Sequence, residues 1–112
     1  MLTLDTLKAC GVNTDEGVAR CAGLEDFYID LVKSVLNTEK TDELESNISS
    51  GDMKAAFETA HSMKGMYANL SLDPLTRPVS EMTELLRAGT QTDYTPYLAE
   101  IKAQMSKLIE LL

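Results

Sequence analysis

Apolar side chains recur along this chain at intervals of three and four residues, and no segment reads convincingly as a strand. The clearest run comprises Leu24, Phe27, Tyr28, Leu31, Val32, Val35 and Leu36. This spacing predicts an amphipathic helix whose apolar stripe faces a core. The pattern breaks at Asn37-Thr38 and resumes only weakly up to residue 50, so we expect a bent or two-piece helix over residues 24–50.

Capping residues and prolines divide the rest of the chain into three further helices. The predicted helices run from Asp52 to Leu70, from Asp73 to Arg87 and from Tyr94 to Leu111. Gly51 suits a C-terminal cap and Asp52 suits an N-cap. Asp73 is the expected N-cap of the next helix and Pro74 its first residue, where a missing N–H does no harm. Pro78 removes a backbone hydrogen bond and is expected to bend that helix near its start.

Two short helices are predicted before residue 24. The first ends at Gly11, and the second has Thr14 as its candidate N-cap and continues through Ala22. Helices joined by short loops pack antiparallel to one another. The sequence therefore predicts an all-α fold, an antiparallel up-and-down four-helix bundle with short N-terminal helices capping one end. The 112 residues fit a single domain spanning residues 1–112.

The charge balance narrows the choice of partners. The chain has 18 acidic and 10 basic residues and a formal net charge of −8. Nucleic-acid binding depends largely on neutralising phosphates with Lys and Arg, so this composition argues against a nucleic-acid ligand. Basic or mixed-charge protein surfaces are the expected partners, although most of the acidic surface needs no role beyond solubility.

Cysteine content and hydropathy exclude several other classes. Cys10 and Cys21 are too few and wrongly spaced for a zinc site, and one histidine cannot complete it, so no metal site is predicted. The first residues do not form a signal peptide pattern, and no run approaches about 18 apolar residues, so no membrane association is expected. Cytoplasm is the default expectation with both thiols reduced. A domain excised from a larger membrane protein would show the same features.

His61 is the only histidine, and it lies outside the apolar face of the predicted Asp52–Leu70 helix. That face comprises Met53, Ala56, Ala60, Met63, Met66, Tyr67 and Leu70. The opposite stripe comprises Phe57, His61, Lys64, Gly65 and Ala68, because positions three, four and seven apart are neighbours on a helix. A glycine inside a helix costs about 1 kcal/mol relative to alanine, which indicates that something uses the space beside His61.

The residues of this stripe suit a reaction in which His61 attacks a phosphorus atom. Neutral imidazole is a nitrogen nucleophile near neutral pH, and a phosphoryl group on it adds roughly two negative charges. Lys64, one turn along, supplies a counter-charge for those oxygens. Gly65 has no Cβ and lets a phosphoryl group and a donor protein approach the backbone. In this interpretation His61 accepts the phosphoryl group, Lys64 supplies the counter-charge and Gly65 leaves room for the donor.

The segment Ala60-His61-Ser62-Met63-Lys64-Gly65 resembles the signature of the histidine-containing phosphotransfer (HPt) domain family, roughly Ala-His-x-Leu-Lys-Gly. The similarity extends to Gly51-Asp52 and, upstream, to Phe27-Tyr28 with Leu31. Two departures are a serine, Ser71, where many members carry glycine, and Pro78 inside the following helix. The hexapeptide is the most specific part of a resemblance that covers most of the chain.

The resemblance implies a phosphorelay intermediate of a two-component system. His61 would accept a phosphoryl group from the aspartate of one receiver domain and pass it to another, the receivers supplying Mg²⁺ and the catalytic groups. The chain itself would act as a monomer without a cofactor, and the absence of a Gly-rich phosphate loop argues against use of ATP. Two alternatives stay open, a helical module that binds receivers without being phosphorylated and a small hydrolase or phosphohistidine phosphatase.

Four further residues are assigned roles around His61. Phe57, one turn before it, and Ala68 are expected to form a docking patch for the partner, since aromatic residues are enriched at such surfaces. A partner for the second ring nitrogen of His61 is expected on the neighbouring helix. Thr83 or Glu84 is the candidate acceptor for that N–H.

Overall fold

A computed structural model describes all 112 residues and contains seven α-helices and no strand. The helices are α1 (Leu4–Ala9), α2 (Thr14–Arg20), α3 (Glu25–Asn37), α4 (Thr41–Ser49), α5 (Met53–Asn69), α6 (Asp73–Arg87) and α7 (Thr95–Ile109). The all-α prediction is confirmed. The predicted interruption at Asn37-Thr38 is also confirmed, because α3 ends there and α4 starts at Thr41. Helix α6 continues through Pro78, which is buried.

Helices α4 to α7 pack in a closed ring, in which α4 and α6 each contact both α5 and α7. The contacts between α5 and α6 run in opposite chain order, since Phe57 lies against Arg87 and Lys64 against Glu84. The hydroxyl of Thr59, early in α5, donates to the side-chain oxygen of Asn47, late in α4, at 2.8 Å. The Lys102 ammonium of α7 donates to the Glu45 carboxylate of α4 at 2.6 Å. The first contact is partly buried and the second is exposed.

The N-terminal helices attach at the turn between α5 and α6. The buried hydroxyl of Tyr28 in α3 donates to the Leu70 carbonyl oxygen at 2.8 Å. Burial raises the pKa of Tyr28 to about 12, with smaller contributions from the nearby Cys21 and Asp73, so the phenol keeps its proton. Its ring lies so close to Gly17 in α2 that a Cβ at that position would collide with it. Helices α2 and α3 are thereby fixed to the end of the ring.

Three residues of the predicted apolar faces lie at the surface, and their assignment to the core is wrong. Leu24 is 59% exposed, Phe27 51% and Met53 41%. The buried residues of α3 are Tyr28, Val32 and Leu36. They lie four residues apart, and Ile29, Leu31 and Val35 beside them pack against the core while partly exposed. Leu24 precedes α3 and Phe27 lies in its first turn, and Met53 is the first residue of α5, so all three lie at helix starts.

Two of the three predicted N-caps are displaced by one residue. Asp52 caps α5 as predicted, its side chain accepting from the Ala55 N–H at 3.1 Å. Helix α2 is capped by Asn13, whose side chain accepts from the Glu16 N–H at 3.2 Å, and Thr14 is instead its first residue. Helix α6 begins at Asp73 after Leu72, which has no side-chain oxygen to cap it. Adjacent polar residues made several starts nearly equivalent in sequence.

Ser71, in the turn between α5 and α6, has a left-handed backbone conformation with φ of +54°. Its side chain is 2% exposed and its hydroxyl has no hydrogen-bond partner. A left-handed conformation costs an L-residue about 1–2 kcal/mol, a cost that glycine avoids. The serine that departs from the family pattern therefore introduces local strain in this turn.

Replacing Ser71 by glycine should stabilise the protein by about 1 kcal/mol, because it relieves the backbone and removes an unpaired hydroxyl. The melting temperature should rise by about 4 °C in a thermal unfolding experiment followed by circular dichroism. Ser106→Gly, at an exposed position inside α7, is the matched control and should destabilise. A lower melting temperature for Ser71→Gly would contradict the strain argument.

Candidate functional site

His61 lies on the solvent side of α5, nine positions into a helix of 17 residues. The core side of the same helix is formed by Ala56, Thr59, Ala60, Met63 and Tyr67, all buried. The imidazole has no hydrogen-bond or ion-pair partner within the protein. Its exposure agrees with the prediction that it lies outside the apolar face, and both ring nitrogens are free to meet another molecule.

Phe57 supports the imidazole from one turn earlier in α5. The two rings are nearly parallel, with centroids 5.7 Å apart and an angle of 17° between their planes. Aromatic pairs in this range contribute about 0.5–1.5 kcal/mol. Phe57 itself is partly buried and packs against the core, so it offers His61 a firm surface. The stack limits the rotation of an otherwise unattached ring.

Arg87, the last residue of α6, covers the Phe57 ring. Its guanidinium carbon lies 5.1 Å from the Phe57 centroid, within the range of a cation–π contact. The sequence analysis did not identify Arg87 as a site residue. Its only sequence signal is a position one turn after Glu84, and its proximity to α5 depends on how the two helices pack.

An ion-pair network joins α5 to α6 beside His61. The Lys64 ammonium lies 3.6 Å from one oxygen of Glu84, and the Arg87 guanidinium lies 3.3 Å from the other. The three side chains are 35%, 58% and 52% exposed, so the pairs are solvated and contribute little to stability. The network instead holds the Lys64 ammonium, one turn after His61, and the Arg87 guanidinium, over the Phe57 ring, on one carboxylate.

Gly65 leaves open space on the same face. A Cβ at this position would meet no atom within 4 Å. Gly17 provides the contrast, since there the ring of Tyr28 forbids a side chain. No contact inside the protein explains a glycine in the middle of α5. The loss of helix stability, about 1 kcal/mol relative to alanine, is therefore not offset by any contact within the fold.

The predicted partners of the second ring nitrogen do not contact it. Thr83 is completely buried, and its hydroxyl donates to the Val79 carbonyl oxygen of its own helix at 2.6 Å. Glu84 uses its two oxygens on Lys64 and Arg87. The prediction that Thr83 or Glu84 accepts from His61 is therefore wrong in this structure. The sequence did not reveal that Thr83 lies in the core, or that two cations occupy the oxygens of Glu84.

The remaining residues around His61 are small or polar. Ala68 is partly exposed two turns along α5, in line with the imidazole. On the other flank, Ser62 lies 3.4 Å from the ammonium of Lys40, at the start of α4.

No group of three or more His, Cys, Asp or Glu residues could hold a metal ion. No helix combines the length and apolar character required to cross a bilayer.

The fold and site define a helical domain that presents one solvent-facing imidazole stacked on Phe57, with Lys64 one turn along the same helix. The Hpt domain family matches residues 36–111, from the end of α3 through α7. The chain belongs to this family, whose members carry out phosphotransfer in two-component signalling and are phosphocarriers rather than kinases. No curated protein and no solved structure shows significant similarity to the chain.

The stack of His61 on Phe57 can be tested by proton NMR, because the protein has one histidine. The ring current of Phe57 should shift the imidazole protons upfield. In Phe57→Leu these resonances should move downfield, toward those of an unstacked imidazole. Tyr97→Leu, which removes an aromatic ring of α7 that pairs with Tyr94, is the control and should leave them in place. Unchanged imidazole resonances in Phe57→Leu would show that the rings do not stack in solution.

Proposed function

We propose that this domain is a phosphorelay intermediate that accepts a phosphoryl group on His61 from a receiver-domain aspartate and passes it to a second receiver. The exposed, supported imidazole with no internal partner is the observation that carries this proposal. Family membership supports the reaction class. The domain would act as a cytoplasmic monomer that binds each receiver transiently.

The transfer is a displacement at phosphorus. The unprotonated ring nitrogen of His61 forms a bond to phosphorus while the bond from phosphorus to the aspartate oxygen breaks. The aspartate leaves as a carboxylate with the electron pair of that bond, and the proton on the other imidazole nitrogen stays. This domain therefore needs to supply only an oriented nucleophile, since the receiver binds the Mg²⁺ that neutralises the transferring group.

The surroundings of His61 suit the proposed product. A phosphoryl group on the ring brings roughly two negative charges. Lys64 follows His61 by one turn of α5, and Arg87 pairs with the same carboxylate as Lys64. Phe57 limits the imidazole to orientations that a visiting aspartyl phosphate can meet. We assign Lys64 to phosphate binding, Gly65 to clearance, and Phe57 with Ala68 to the docking surface.

His61→Gln should abolish phosphoryl transfer from radiolabelled receiver domains charged with acetyl phosphate, while wild type becomes labelled. The free energy of unfolding of the variant should fall by no more than about 1.5 kcal/mol, because the position is on the surface and only the stack on Phe57 is lost. Receiver binding, measured separately by calorimetry, should persist. Equal labelling of His61→Gln would contradict the proposal, and absence of labelling in wild type with every receiver that it binds would favour a module that is not phosphorylated.

Gly65→Gln tests the clearance role. Its side chain meets open space, so the helix should become more stable by up to about 1 kcal/mol. Transfer should nevertheless slow by about 10- to 100-fold, because the donor is held away from the imidazole. Ala103→Gln, at an exposed position of α7, adds the same bulk and should transfer at the wild-type rate. A Gly65→Gln domain that transfers as fast as wild type would refute the role.

A further inference from the structure

Glu84 is the one carboxylate paired with both cations beside His61. One of its oxygens lies 3.6 Å from the Lys64 ammonium and the other lies 3.3 Å from the Arg87 guanidinium. Neither cation has a second acidic partner within ion-pair distance. The Glu84 side chain is 58% exposed and accepts no other hydrogen bond, so it can move away without leaving a buried group unpaired.

The charges around the imidazole change sign when a phosphoryl group arrives. Lys64, Arg87 and Glu84 together carry a net charge of +1 before transfer. A phosphoryl group on His61 adds roughly two negative charges and three acceptor oxygens. It then competes with Glu84 for the same cations, and the Glu84 carboxylate repels it. Removing that carboxylate would leave two positive charges to face the phosphoryl group.

We infer that Glu84 is a displaceable counter-ion that holds Lys64 and Arg87 before transfer and lowers the stability of the phosphorylated state. This role rests on the proposed function of His61. A carrier must release its group to the next receiver, and a site with two unopposed cations would retain it. Glu84 thus keeps the phosphoryl group transferable, while its pairing with the cations keeps them in place between transfers.

The inference predicts that Glu84→Gln stabilises phosphohistidine. Wild type is first labelled through a receiver charged with radiolabelled acetyl phosphate, which releases acetate, and is then freed of the donor. It is mixed with an equal amount of a size-tagged Glu84→Gln variant and a small amount of the receiver, which exchanges the phosphoryl group between the two domains. The ratio of labelled variant to labelled wild type then gives their relative stability directly. We expect a ratio of about five at low salt, falling as ionic strength rises, as for one charge near a dianion in water.

Two controls separate this role from others. Glu110→Gln makes the same change in net charge at an exposed position after α7, and should give a ratio near one. In a Lys64→Gln background the effect of Glu84→Gln should shrink, since one of the two competing cations is gone. A ratio of one or less for Glu84→Gln, or an equal shift in Glu110→Gln, would overturn the inference.

A receiver-free measurement keeps this test apart from that of the proposed function. Phosphoramidate can donate its phosphoryl group to imidazole, the bond from phosphorus to its own nitrogen breaking as ammonia leaves. At a fixed ratio of phosphoramidate to ammonia, the phosphorylated fraction of His61, measured by NMR, should be higher in Glu84→Gln than in wild type. Equal fractions would overturn the role of Glu84, whereas a failure of every receiver to exchange phosphate would count only against the relay.

Discussion

The contact between the rings of His61 and Phe57 is the interaction on which the site depends. An imidazole on the outer face of a helix has two rotatable bonds and, here, no hydrogen bond to restrain it. Phe57 packs against the core on one side and supports the imidazole on the other. The rigidity of the bundle is thereby passed to a side chain that is exposed to solvent.

Lys64 and Arg87 are held by ion pairs rather than by packing. Solvated ion pairs contribute little to folding, so Glu84 gains the structure little stability by pairing with Lys64 and Arg87. Its effect is to hold Lys64 of α5 and Arg87 of α6 on one carboxylate. Aromatic packing therefore supports the imidazole, while the charges on this face are held by exposed pairs that can rearrange.

The helices and the face of α5 that carries His61 followed from local pattern. Three-and-four spacing located α3, α5 and α7, and Asp52 capped α5 as expected because its side chain acts within one turn. Contacts between helices were beyond that pattern. Arg87 reaches Phe57 only through the packing of α6 on α5, and Thr83 is turned into the core by the same packing. Sequence spacing gives the face of a helix, but not which neighbour covers it.

Leu24 and Phe27 also show that spacing along the sequence does not determine which apolar residues are covered by a neighbouring helix. Both have the spacing of core residues, yet they lie at the start of α3 and are exposed, whereas the later residues of the same apolar stripe are buried or partly buried. An apolar stripe thus gives the greatest width that a helix can bury, and the number of neighbouring helices determines how much of it is buried. Helix α5 has both α4 and α6 as neighbours, so its apolar pattern predicted its core positions better.

Two glycines of this chain, Gly17 and Gly65, differ in whether the fold itself requires a glycine. At Gly17 the ring of Tyr28 occupies the space of a side chain, so the fold itself requires glycine. At Gly65 no atom occupies that space, and the helix would be more stable with alanine. A residue that weakens its own helix without serving the packing around it has its reason outside the folded chain. Beside a free imidazole, the open space at Gly65 fits the clearance that we propose for a visiting receiver domain.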